Sequence, residues 1–126
     1  MKGDFNNNAP IFMQIVELML NDIAKGTLAL GDKIAPVRAL AAEYKVNPNT
    51  MQKSLEKLGD MGFLYTERTS GRFVTNDGEK ITALRQKIPN DMTAKYVQEM
   101  LDFGTEPDDI IYFVQKNITE RNNQYE

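Results

Sequence analysis

The run Lys45-Val46-Asn47-Pro48-Asn49-Thr50-Met51-Gln52-Lys53-Ser54-Leu55 gathers the side chains of this chain best suited to meeting a nucleic acid. Asn47 followed by Pro48 marks a helix start. An asparagine side-chain oxygen can accept from an orphan amide of the first turn, and proline at the first helical position loses no hydrogen bond. Asn49, Thr50, Gln52 and Lys53 then crowd hydrogen-bonding groups into the first two turns. The positive end of the helix dipole favours phosphate at the same place. Asn or Gln can pair bidentately with adenine and Lys can donate to guanine, so any base readout is expected from this row. Met51, Leu55 and Leu58 recur at helical spacing and would seat the helix on a core with the polar row outward. An ordinary capped surface helix would look the same locally, and Asn47 can be only a cap. The flanking segments carry the decision.

Upstream, Val37 to Tyr44 reads as a short helix with Val37, Leu40, Ala41 and Tyr44 on one face and Arg38 on the other. Lys45-Val46 links it tightly to the Asn47 cap, which is the helix-turn-helix pattern. Arg38 stands where it could touch a phosphate or groove edge; a surface ion pair is the alternative. A preceding helix from about Ile11 to Lys25 carries Ile11, Ile15, Leu18, Met19 and Ile23 as its apolar stripe, closed by Gly26. Downstream, the polar helix is expected to stop near Met61-Gly62. Phe63 to Thr66 and Phe73 to Thr75 are β-prone runs around a turn centred on Ser70-Gly71, with Arg68 and Arg72 on either side. A hairpin after a helix-turn-helix is a wing. Ser70, Gly71 and Arg72 would bring its tip to the DNA backbone or minor groove, although the turn alone explains Gly71.

The 126 residues allow one domain with a small appendage. Cysteine and histidine are absent, which excludes disulfides, thiolate nucleophiles, the usual zinc ligands and the commonest general base. Asp, Glu, Lys and Tyr remain as acid–base candidates and form no motif, so no enzyme, metal or cofactor is expected. Met1 to Asn8 lacks the apolar core of a signal peptide, and no apolar run approaches bilayer length. The expected location is cytoplasmic. The net charge of −3 is unevenly divided. Residues 1–76 hold nine Lys/Arg against eight Asp/Glu, whereas residues 77–126 hold six against ten. The reading face is thus weakly basic, and affinity should depend on doubled contacts and fall steeply with salt.

Asn76-Asp77-Gly78 is a turn and a domain boundary. Beyond it Ile81, Leu84, Ile88, Met92, Tyr96, Met100 and Phe103 recur at helical spacing. The rhythm crosses Pro89, so either one helix kinked there or two helices broken at Ile88 would fit. Thr105 would cap a last helix opening at Glu106-Pro107, with Ile110, Ile111, Phe113, Val114 and Ile118 apolar and Asn122 to Glu126 frayed. Two amphipathic helices of this length cannot enclose a usual metabolite pocket unaided. They can bury their stripes against a second copy, or else pack back on the winged helix. The expected architecture is mainly α with a small β-hairpin wing. A winged helix-turn-helix over residues 1–76 precedes a two-helix dimerisation tail over 77–126.

The chain also resembles the GntR family of bacterial transcription regulators, in its small YtrA-type branch. The matching stretches are Pro10 to Ile15, Ile23 to Leu28, Gly31-Asp32-Lys33, Val37 to Ala41, Val46 to Thr50, Leu58 to Gly62 and Gly71 to Val74. The likeness is close over residues 9 to 75. It implies DNA contact for Arg38 and a short two-helix tail used for dimerisation, and it suggests repression. Ile34-Ala35-Pro36 departs from the family's Leu-Pro-Ser, and Thr69-Ser70-Gly71 from its Gly-Lys-Gly wing, so one anchoring serine and one basic wing residue are missing. The expected function is a sequence-specific regulator binding double-stranded DNA as a homodimer on an inverted-repeat operator. A winged-helix protein–protein adaptor, or a regulator gated by a small molecule near Tyr96, Phe103, Tyr112 and Phe113, is the alternative.

Overall fold

The computed structural model describes residues 4–124. Its elements are α1 (Ile11–Lys25), α2 (Val37–Tyr44), α3 (Pro48–Asp60), β1 (Leu64–Glu67), β2 (Gly71–Val74), α4 (Gly78–Phe103) and α5 (Pro107–Gln124). Two compact units, Met1–Gln86 and Lys87–Glu126, divide the chain, and α4 runs through the division.

In the first unit α3 packs on both α1 and α2, because each brings an apolar stripe at helical spacing. Ile15, Val16, Met19 and Ile23 from α1, Leu40, Ala41 and Tyr44 from α2, and Met51, Leu55 and Leu58 from α3 form one buried core. Helix α1 stops at Gly26, whose φ of 86° is left-handed. The Arg85 guanidinium donates through Nε to the Ala24 carbonyl at 2.6 Å, placing a cation at the negative end of α1. Burial, with Asp22 and then Glu43 nearby, pushes the Tyr44 hydroxyl up to about 12 from 10.0. A raised tyrosine pKa favours the protonated folded form. That contribution to stability is complete below pH 10.0 and is lost as pH rises toward about 12.

The turn between α2 and α3 holds an uncommon backbone. Lys45 adopts φ 57° and ψ 48°, the left-handed region, as the C-cap of α2. A side chain there costs about 1–2 kcal/mol through its Cβ. Lys45→Gly should therefore raise the unfolding free energy by about 1 kcal/mol, while Lys45→Ala, which keeps the Cβ, should not. Urea denaturation of the three proteins checks this.

The hairpin differs from expectation in detail. β1 and β2 pair antiparallel with Leu64 opposite Val74, Tyr65 opposite Phe73, Thr66 opposite Arg72 and Glu67 opposite Gly71. The turn is therefore Arg68-Thr69-Ser70, centred on Thr69 and not on Ser70-Gly71, with the Ser70 amide donating to the Glu67 carbonyl. Gly71, at φ 107°, already belongs to β2. A third segment joins β2, which the sequence pattern did not announce. Gly31 donates to Val74, Val74 to Asp32 and Ile34 to Arg72, with an antiparallel bridge between Lys33 and Phe73.

Helix α4 continues through Pro89. Of the two arrangements open from sequence, the single helix is the one formed. Its opening turns bury Ile81 and Leu84 in the first unit. At its end Gly104, at φ 102°, donates to Leu101 and Thr105 donates to Met100, a Schellman stop. Helix α5 begins one residue later than expected. Pro107 takes the first helical position, and the Glu106 carbonyl, not a Thr105 cap, receives the first helical amides from Asp109 and Ile110. The helix persists to Gln124, past the expected onset of fraying at Asn122; Tyr125 and Glu126 lie outside the described residues. In this second unit Ile110 is buried, whereas Met92, Tyr96, Leu101, Phe103, Ile111, Tyr112, Phe113, Val114 and Ile118 are exposed. No helix among the described residues is long and apolar enough to cross a membrane.

Candidate nucleic-acid interface

The front of α3 is built as its opening residues dictate. Asn47, at φ −64° and ψ 138°, sits just outside the helix and accepts from the Asn49 amide at 2.7 Å, and Pro48 follows as the first helical residue. This anchors the first turn without using any other side chain of the polar row. Met51, Ser54, Leu55 and Leu58 face the core. Asn49, Lys53 and Glu56, spaced at one helical turn, consequently share the solvent face, with Gln52 half-buried at its edge. Thr50, also half-buried, lies on the side toward α1 and lines an open depression with Ile11, Phe12, Asn49 and Lys53.

Two of these side chains are engaged. Gln52 donates through Nε2 to Glu56 Oε1 at 2.9 Å. The Lys53 ammonium sits 4.0 Å from the centroid of the Phe12 ring. Neither partner was singled out from sequence. Glu56 could have been found from its spacing of four from Gln52, which makes the pair neighbours on any helix. Phe12 could not, because 41 residues separate it from Lys53 and only the packing of α1 on α3 joins them.

The remaining candidates lie on other elements of the same unit. Arg38 is exposed in the first turn of α2. That helix starts after Pro36 with no side-chain cap, which is the structural consequence of a proline standing where the resemblance leads one to expect serine. Ser70 and Arg72 are half-buried on the wing and Gly71 is exposed. A Cβ on Gly71 would come to 3.3 Å from Lys33 Cε, and φ 107° disfavours any side chain there. Lys33 therefore belongs beside the wing tip. It places a basic group beside a wing whose turn, Arg68-Thr69-Ser70, lacks the lysine that the resemblance leads one to expect, and the third segment alone brings it there. Tyr65 and Phe73 stack with ring centroids 5.5 Å apart and stiffen the hairpin. The structure thus brings Asn47, Asn49, Thr50, Gln52 and Lys53 together on two turns of α3, Ser70, Gly71 and Arg72 together on the wing, and leaves Arg38 on α2.

Comparison with known proteins agrees with this geometry. The profile described as "Bacterial regulatory proteins, gntR family" matches residues 13–74, from α1 to the last residue of the wing. The HTH-type transcriptional repressor YtrA of Bacillus subtilis is 30% identical over 91 residues, covering 68% of this chain and 70% of that protein. A GntR family transcriptional regulator from Listeria monocytogenes has a similar structure, with a TM-score of 0.82 and 35% identity over 89% of this chain and 98% of its own. The DNA-binding domain of AraR, solved in complex with operator ORX1, matches 60% of this chain and 92% of its own with a TM-score of 0.52 and 25% identity. A capped polar helix on a three-helix core, a wing beside it and relatives along almost the whole length lead to one assignment: the chain belongs to the gntR family of bacterial regulatory proteins.

Proposed function

We propose that this chain is a sequence-specific DNA-binding transcription regulator that acts as a homodimer on an inverted-repeat operator, with repression as its mode. The observation that carries the reading is the solvent face of α3, where Asn49, Gln52 and Lys53 stand on a helix whose own cap and core use none of them. Residues 1–76 serve as the DNA-binding domain and residues 77–126 as the dimerisation region. Gln52 and Asn49 read base edges, Thr50 and Lys53 meet the backbone, Arg38 grips a flanking phosphate, and Ser70, Gly71 and Arg72 bring the wing to the groove. The operator complex of AraR supports the DNA reading, and the name of YtrA as a repressor supports the mode. The many exposed apolar residues of α4 and α5 support the homodimer, since a second copy could bury them.

Fluorescence anisotropy on labelled DNA from upstream of the gene, beside a scrambled duplex at two salt concentrations, tests this reading, with the mass followed by light scattering. Saturable binding by a dimer, tighter on the native DNA and weakened by salt, is the expected result. No binding to either duplex at low salt would overturn it and turn attention to a protein partner.

Three substitutions refine the contact list. Gln52→Ala should relax discrimination at one base pair per half-site by about 1–3 kcal/mol. Unchanged preference at every operator position would remove Gln52 from base readout. Lys53→Ala and Arg72→Ala should each reduce the slope of log affinity against log salt by about one, without altering preference. Equal slopes before and after would show that the residue touches no phosphate.

A further inference from the structure

Beyond the apolar packing of α1 on α3, Phe12 ties the start of α1 to the front of α3. The Lys53 ammonium lies 4.0 Å from the centre of its ring. The next residue along α3, Ser54, is fully buried. Its hydroxyl shares a proton between the Thr50 carbonyl at 2.9 Å and the Phe12 carbonyl at 3.2 Å. Consecutive residues of α3 therefore hold the ring and the backbone of Phe12. The ring is half-buried, and it shares the depression at the α1–α3 junction with Asn49, Thr50 and Lys53.

This arrangement acts on a lysine in a particular way. A free lysine side chain samples many rotamers and loses that freedom on gripping a phosphate. An aromatic face attracts the ammonium through its quadrupole and restricts the chain before any phosphate arrives. Unlike a carboxylate, it does so without cancelling the charge, and the ammonium donors that point away from the ring remain available. Ser54 anchors the Phe12 backbone to α3, so the ring is carried from a fixed point beside Lys53.

We propose that Phe12 is a positioning residue for DNA binding, holding the Lys53 ammonium at the α1–α3 depression so that it meets a backbone phosphate already oriented. The inference rests on the assignment of Lys53 to a phosphate contact, and the test separates the two. Phe12→Leu, which keeps an apolar side chain, should weaken DNA binding about three-fold. Phe12→Tyr, which keeps the ring, should bind like the wild type. In the absence of DNA, the Lys53 ε-methylene protons should be shifted upfield by the ring in wild type and Phe12→Tyr, and return to ordinary lysine values in Phe12→Leu. In a Lys53→Ala background, Phe12→Leu should have no further effect on affinity. Equal weakening by Phe12→Leu in both backgrounds would overturn the inference while leaving the Lys53 contact intact. An unchanged affinity and salt slope in Lys53→Ala alone would overturn the phosphate contact itself, and the positioning role with it. Thermal melts confirm that each variant is folded.

Discussion

Ile118→Asp is expected to convert a dimer into a folded monomer and to weaken binding to an inverted-repeat operator by about 10²–10⁴-fold. Ile111, Val114 and Ile118 follow one face of α5 at spacings of three and four. They are 59%, 40% and 55% exposed in the single chain. An exposed position tolerates a charge within about 0.5 kcal/mol, so the monomer should keep its fold. In a dimer whose core is this face, the same carboxylate would lie unpaired in an apolar environment. That costs several kcal/mol and forces the protomers apart. DNA binding then suffers because each half-site must be found independently, without the effective concentration that linkage provides. Light scattering should show the mass halve, circular dichroism should show unchanged helix content, and anisotropy should show the loss of affinity. A variant that stays dimeric would place the subunit contact elsewhere on the chain.

Leu58→Ala should destabilise the first unit by about 2–5 kcal/mol. Leu58 is 0% exposed and lies one turn after Ser54 on the buried side of α3. Truncation removes the transfer free energy of the lost carbons and leaves a cavity beneath the helix that bears the proposed reading face. The neighbours cannot collapse freely to fill it. Met51 and Leu55 are fixed on the same helix, and the Phe63 amide donates to the Leu58 carbonyl, which ties the entry of the wing to this turn. The loss should appear as a large drop in urea midpoint, with DNA affinity recovering at low temperature where the variant is folded. A change below about 1 kcal/mol would mean that the core under α3 repacks around the missing side chain.

These expectations differ in how far they could be read from the residues alone. The stripe Met51–Leu55–Leu58 and the Asn47–Pro48 start are local patterns. A helix repeats every 3.6 residues, and its cap chemistry lies within one turn, so α3 and the outward placement of Asn49 and Lys53 follow from about a dozen consecutive residues. The order of helix, turn, helix and hairpin follows for the same reason, as do the apolar rhythms of the tail. The left-handed backbone of Lys45 was not legible, because lysine gives no sign of a positive φ where glycine would. The exact turn of the wing also escaped, since the register of a short hairpin is set by pairing across strands, which placed Gly71 opposite Glu67.

Tertiary structure alone decided what surrounds the proposed reading face. Lys33 reached the wing because the segment from Gly31 to Ile34 pairs with β2, and no periodicity in four residues could announce a partner forty residues away. Phe12 reached Lys53 because α1 packs on α3, and the distance between them in the chain carries no information about their distance in space. Pro89 was ambiguous for a related reason. A proline removes one hydrogen bond and crowds one turn, at a cost comparable to what packing of the flanking turns can offset, so the sequence leaves break and continuation nearly balanced. The identity of each helix and its polar face therefore belonged to the sequence, where the determining interactions are close along the chain. Which side chains meet across helices and strands belonged to the fold, where burial of the shared core brings distant residues together.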